Sequence, residues 1–180
     1  MPHYTKTLAE VPQLSERAIA RNIPRMISAL EWIHSKNLVH MDVRAPNIFV
    51  RYDGCWVLGD FDATVANGNN GYGKYGATHY PNKLSFPDPL NPFGKIIVPA
   101  SPEIDWYMLL GMPSFKILFT TSATLCIELN KRDWLQLMDR DSGKISHEKI
   151  LTMVESCKMT SVKPLLETIA AQALPLLGEY

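Results

Sequence analysis

Residues 38–62 constrain this chain more than any other stretch. Two apolar runs, Leu38-Val39 and Ile48-Phe49-Val50, bracket a polar loop that carries His40, Asp42, Arg44 and Asn47. The turn Arg51-Tyr52-Asp53-Gly54 separates the second run from Trp56-Val57-Leu58, so those two runs read as a β-hairpin. The hairpin ends on the acidic tip Gly59-Asp60-Phe61-Asp62. One loop and one tip thus hold a carboxylate, an amide and a second carboxylate, each beside apolar runs.

A helix precedes the loop. Ile23, Met26, Ile27, Leu30 and Ile33 recur at steps of three and four, an apolar stripe that predicts an amphipathic helix over 22–36. Proline fits a helix only near its first turn, so Pro24 places the start near Asn22. Ser15 then caps a separate short helix reaching Asn22, and Asn37 is a left-handed stop. Residues 1–14 show little periodicity, and Pro12 suggests an extended or turning approach.

After the tip the character changes. Asn67-Gly68-Asn69-Asn70-Gly71 and the prolines from Pro81 to Pro99 predict a long irregular segment over 63–100. Ser101-Pro102-Glu103 then reads as a helix start, with a Ser N-cap, Pro at the first position and acids in the first turn. Helical patterns follow at 115–129, 133–138, from Ser146, and at 162–173 before Pro175. The expectation is one α+β domain over 1–180, mainly α-helical, with a small β-hairpin at the loop. Asp139-Arg140-Asp141-Ser142-Gly143 reads as a turn, because glycine falls one place early for a calcium loop and Ile150 stands where that loop needs Glu.

The pattern H-x-D-x-x-x-x-N from His40 to Asn47, followed by Asp60-Phe61-x, resembles the catalytic core of protein kinases. Helix, short strand, loop, hairpin and acidic tip also come in the order of the large kinase lobe. The resemblance implies that Asp42 orients or accepts the proton of an attacking hydroxyl, while Asn47 and Asp60 hold magnesium on the phosphates of ATP. Arg44 stands where serine/threonine kinases often carry a lysine near the transferred phosphate. His40 would pack and hydrogen-bond below the loop, Phe61 would be a structural residue of the tip motif, and Asp105 would open the central helix of the lobe. Residues 38–62 become the catalytic loop and metal-binding tip, 63–103 an activation-like segment, and 104–180 a helical subdomain.

The chain departs from the family in places. Met41 replaces an arginine that many kinases use to grip a phosphorylated activation segment, and Asp62 stands at the glycine of D-F-G. Asp62 either assists metal binding or caps the next turn. Thr64, Thr78, Tyr80 and Ser85 are hydroxyls in the activation-like segment. Gly71-Tyr72-Gly73-Lys74-Tyr75-Gly76 has the form of a phosphate-covering loop, but a flexible Gly/Asn loop is the better reading. No glycine-rich hairpin, V-A-I-K lysine or partner glutamate precedes Asp42, so the sequence is expected to be a truncated kinase-like domain. Such a chain would act slowly or not at all alone, and would offer a protein partner the face that the small lobe normally covers.

Three functions fit these residues. The first is ATP-dependent phosphorylation of protein Ser/Thr hydroxyls in a complete form, with nucleotide and protein as substrates. The second is a non-catalytic pseudokinase or interaction module. The third is a small-molecule phosphotransferase of the aminoglycoside or choline kinase type, which Asp60-Phe61-Asp62 suits; Ser101-Pro102-Glu103 and Asp105 favour the protein-kinase branch. The chain balances 18 basic against 18 acidic residues, so nothing calls for nucleic acid or an anionic membrane. The cysteines, Cys55, Cys126 and Cys157, are scattered and odd in number, which fits reduced thiols. With no signal-peptide or membrane-span pattern, the expected location is cytoplasmic or nuclear.

Overall fold

The computed structural model describes residues 4–12, 14–73, 96–110, 151, 154–155, 157 and 159–178. Helix α1, Glu16–Ser35, supports the loop from below. Its N-cap is Ser15, whose hydroxyl accepts from the Ala18 amide at 3.2 Å. The two helices predicted on either side of Asn22 are one element, with Pro24 in its interior. An interior proline costs about 3 kcal/mol. Burial outweighs this, because Ile19 and Ile23 before Pro24, and Met26, Leu30 and Ile33 after it, all enter the core. Each such side chain contributes about 1.5–3 kcal/mol. After Ser35 the chain turns at Asn37, whose φ of 57° is the left-handed stop.

Among the described residues seven strands pair antiparallel. They are β1 (Tyr4–Thr7), β2 (Leu38–Val39), β3 (Ile48–Arg51), β4 (Trp56–Leu58), β5 (Val65–Ala66), β6 (Asn70–Gly73) and β7 (Ile96–Pro99). The expected hairpin is β3–β4, with Ile48 opposite Leu58 and Val50 opposite Trp56. It gains a third strand, because β1 pairs along the other edge of β3. That strand leaves no alternating signal, since Tyr4, Thr5 and Lys6 are all exposed. Asn22 ties this sheet to α1. Its Nδ2 donates to the Ala18 and Gly54 carbonyls at 2.9 and 3.1 Å, and its Oδ1 accepts from the Trp56 amide at 3.0 Å.

Beyond the tip, β5 returns to pair with β2, setting Val65 opposite Val39. The segment expected to be irregular over 63–100 is ordered at its ends, where β6 pairs with β7. The β-branched run Ile96-Ile97-Val98 supplies the strand preference that the surrounding prolines obscure. Helix α2, Pro102–Leu110, follows, with Ile104 to Leu110 all buried. Helix α3, Lys163–Gly178, packs on α2 and continues through Pro175, beyond the expected end at 173. The patterns at 115–129, 133–138 and 139–143, and most of the helix expected from Ser146, lie outside the described residues, as do Thr78, Tyr80 and Ser85.

Candidate active site

The polar loop between β2 and β3 is held from three sides. From α2, the fully buried carboxylate of Asp105 accepts the His40 and Met41 amides, each at 2.8 Å. Its Oδ2 also meets His34 Nε2, on the last turn of α1, at 2.9 Å. Three donors therefore share one buried carboxylate, which removes the cost of burying it unpaired. The same grip holds Met41 at φ 65°, a left-handed backbone unusual for a long side chain. Met41 itself is buried, so its side chain is core rather than a receptor for charge.

From the hairpin side, His40 Nε2 lies 3.0 Å from the Gly59 carbonyl, and its Nδ1 accepts the Asp42 amide at 3.3 Å. Those partners require the proton on Nε2. The imidazole also lies tilted against the Phe61 ring, with centroids 5.0 Å apart and planes at 58°. His40 is thus a buried strut between the loop and the acidic tip.

At the loop centre, Asn47 Nδ2 donates to the Asp42 carbonyl at 2.9 Å and to Asp42 Oδ2 at 2.7 Å. Arg44 Nε reaches the same carboxylate, 3.0 Å from Oδ1 and 3.1 Å from Oδ2. A carboxylate that merely stabilised a turn would accept nearby backbone amides. Among the described residues no backbone amide donates to the Asp42 carboxylate; two side chains aim it, and it stays partly open to solvent. Arg44 therefore lies against Asp42 rather than standing apart as a separate cation.

The tip closes on this loop through the hairpin. The Gly59 amide donates to the Asn47 carbonyl at 2.9 Å, which brings Asp60 to the open end of the hairpin beside Asn47. Asp60 takes φ 57° and ψ 71°, left-handed, with its side chain exposed. Asp62 lies in the 3-10 turn Phe61–Ala63 and lacks a positive φ, so the backbone there does not require the glycine it replaces. Asn47 commits its Nδ2 to Asp42, which leaves Oδ1 as its uncommitted oxygen. Among the described residues no three His, Cys, Asp or Glu side chains converge to cage an ion.

His34 escaped the sequence reading, and so did the surroundings of Phe49 and Thr64, which it placed in the hairpin and among the activation-segment hydroxyls. His34 completes the Asp105 cluster, and its only sequence signal is a polar residue at the end of an apolar stripe. Phe49 lies beside Tyr4, with ring centroids 5.3 Å apart, and a Cβ at Gly59 would fall 2.7 Å from its ring. Gly59 is therefore glycine for want of space. Thr64 buries a hydroxyl oxygen that finds no hydrogen-bond partner.

Helix, loop, hairpin and tip meet in the order of the large lobe of a protein kinase, and the described part of the chain has that protein-kinase-like, α+β fold. A rhoptry kinase from Toxoplasma gondii shares it, with a TM-score of 0.52 at 18% identity over 89% of this chain and 49% of that one. In sequence, 75 residues, 41% of the chain, are 35% identical to a probable serine/threonine-protein kinase of Dictyostelium discoideum. A further match, 33% over 95 residues or 49% of the chain, is to the serine/threonine-protein kinase US3 homolog of Varicella-zoster virus. The chain spans only 18% and 23% of those two relatives. No protein-family model matches it. Among the described residues no helix is long and apolar enough to cross a membrane.

Proposed function

We propose that this chain carries the base and the metal ligands of a protein kinase, and that with an ATP-clamping lobe it phosphorylates Ser or Thr hydroxyls of a protein. The observation that carries this reading is the Asp42 carboxylate, aimed by Asn47 at 2.7 Å and by Arg44 at 3.0 Å while its loop is locked from beneath. Asp42 accepts the hydroxyl proton as the oxygen attacks the γ-phosphorus of ATP and the bond to the bridging oxygen breaks, releasing ADP. Arg44 balances charge on that carboxylate, 3.0 Å from its Oδ1. Asn47 Oδ1 and the Asp60 carboxylate are hard oxygen donors of the kind magnesium takes. Being two in number, they would hold magnesium only with further ligands from the nucleotide and water. Magnesium, when bound, neutralises charge developing on the phosphates.

Positioning provides most of the catalysis in this reaction, so an ATP-clamping lobe is the part that would set its rate. Phe61 stays 50% exposed beside His40, apolar area suited to cover by a partner lobe.

The test is phosphate transfer to a mixed Ser/Thr peptide library by this chain and by Asp42→Asn, with magnesium and ATP. Loss of the base should lower the rate about 100-fold or more, with nucleotide binding retained. Undiminished transfer by Asp42→Asn removes the assignment. Labelling of soluble amines or alcohols but not peptides would favour a small-molecule phosphotransferase. A melting temperature indifferent to magnesium and ATP would favour a non-catalytic module.

A further inference from the structure

Helix α1 turns one face to the site and core, and among the described residues nothing covers the opposite face. Arg17, Arg21, Arg25, Ser28, Trp32 and Lys36 follow one another at steps of three and four, so they form a single stripe, and all six are exposed. Trp32 is 63% exposed, and Lys36 Nζ lies 5.9 Å from the centre of its ring. Arg21 leans on the hairpin turn, 3.4 Å from the Asp53 carbonyl and from Cys55 Sγ. Arg17 and Arg25 make no ion pair or side-chain hydrogen bond among the described residues. No acidic residue stands three or four places from any of the three arginines, so the helix does not neutralise them; of the three, only Arg21 feels the Asp53 carboxylate on the hairpin turn.

This concentration of charge is local, because the whole chain balances 18 against 18. Arginines four apart repel one another, which is unfavourable until an anion joins them. An exposed tryptophan at the end of the stripe adds an apolar, planar contact, the kind enriched where proteins bind one another.

We propose that this stripe docks an extended, acidic segment of a partner protein, with Trp32 receiving an apolar side chain beyond the acids. Geometry favours that occupant. Residues four apart on a helix are separated by about 6 Å along the axis. Side chains on one face of an extended peptide repeat at about 6.7 Å. Carboxylates at alternate positions therefore meet Arg17, Arg21 and Arg25 in register. A nucleic acid would call for a broader basic surface. A bilayer would call for an apolar face, and Trp32 is the lone large apolar side chain on the stripe.

Fluorescence anisotropy tests this, using the 180-residue chain and a labelled peptide that alternates Glu with Thr and ends in Leu. Saturable binding that weakens with added salt is expected. The Arg17→Glu/Arg25→Glu double variant should bind about tenfold more weakly. Its melting temperature should be unchanged, since neither arginine has a partner to lose; if it melts lower, Arg17→Gln/Arg25→Gln takes its place. Trp32→Ala should weaken the Leu-ended peptide and leave one ending in Gly unaffected. The proposal is overturned by absence of saturable binding, by unchanged affinity in the charge variant, or by equal binding of a peptide with its acids in one block. Tighter binding of oligothymidine or of phosphatidylserine vesicles than of the peptide also overturns it.

Discussion

Asp105 Oδ1 accepts the Met41 amide at 2.8 Å across 64 residues of sequence. With the companion bond to the His40 amide, this contact makes the core helix α2 the support of the polar loop between β2 and β3. Removing the acceptor strands two buried amides at once. Asp105→Ala is expected to destabilise the fold by about 3 kcal/mol or more. Asp105→Asn, which keeps one acceptor oxygen, should lose less. Urea denaturation of the three proteins gives that order; equal midpoints would show that the loop holds itself.

Asn22 joins α1 to the hairpin, and Trp56 has no other acceptor for its amide among the described residues. Asn22→Ala should cost about 2–3 kcal/mol, the price of one buried unsatisfied amide and two lost bonds. Amide exchange would localise the effect: Trp56 should lose protection before residues in α2. Uniform loss across the chain would mean that α1 and the hairpin do not depend on this tie.

Gly59 has no room for a side chain. A methyl group there meets Phe49 Cε2 at 2.7 Å, so Gly59→Ala should destabilise by about 1–3 kcal/mol through overpacking. Phe49→Leu in the same chain should return part of that loss, because it vacates the contacted volume. A thermal-melt cycle of the two single variants and the double variant measures the coupling, and additive effects would contradict the steric account.

Tyr107 gives the fold an alkaline limit. Burial raises its phenol above the ordinary tyrosine value, because the charged form is poorly solvated inside the core. A raised folded value means that its contribution is intact below about pH 10 and declines as pH rises towards that folded value. Tyr107→Phe should therefore flatten the fall in melting temperature between about pH 9.5 and 11. An identical fall in both proteins would assign alkaline unfolding to other groups.

Much of the site was legible before the fold. The apolar stripe of α1, the hairpin β3–β4 and the residues Asp42, Asn47 and Asp60 are all local patterns, and periodicity or spacing exposes such patterns. Their arrangement was less so. The orientation of Arg44 onto Asp42 depends on loop geometry. The ordinary backbone at Asp62, and the left-handed one at Met41 and Asp60, depend on how the tip and loop are pinned.

The sequence by itself determined the parts: one stripe facing a core, one loop with a carboxylate and an amide, and one acidic tip. Tertiary structure decided what holds them. Pro24 sits within a continuous helix because buried side chains on both sides of it outweigh a lost hydrogen bond. Tyr4–Thr7 is a strand because the edge of β3 offers it partners, although three of its four side chains face solvent. Asp105 and His34 serve the loop because α1 and α2 cross beneath it. Those contacts join residues far apart in the chain, and local pattern carries no record of a neighbour that only folding supplies.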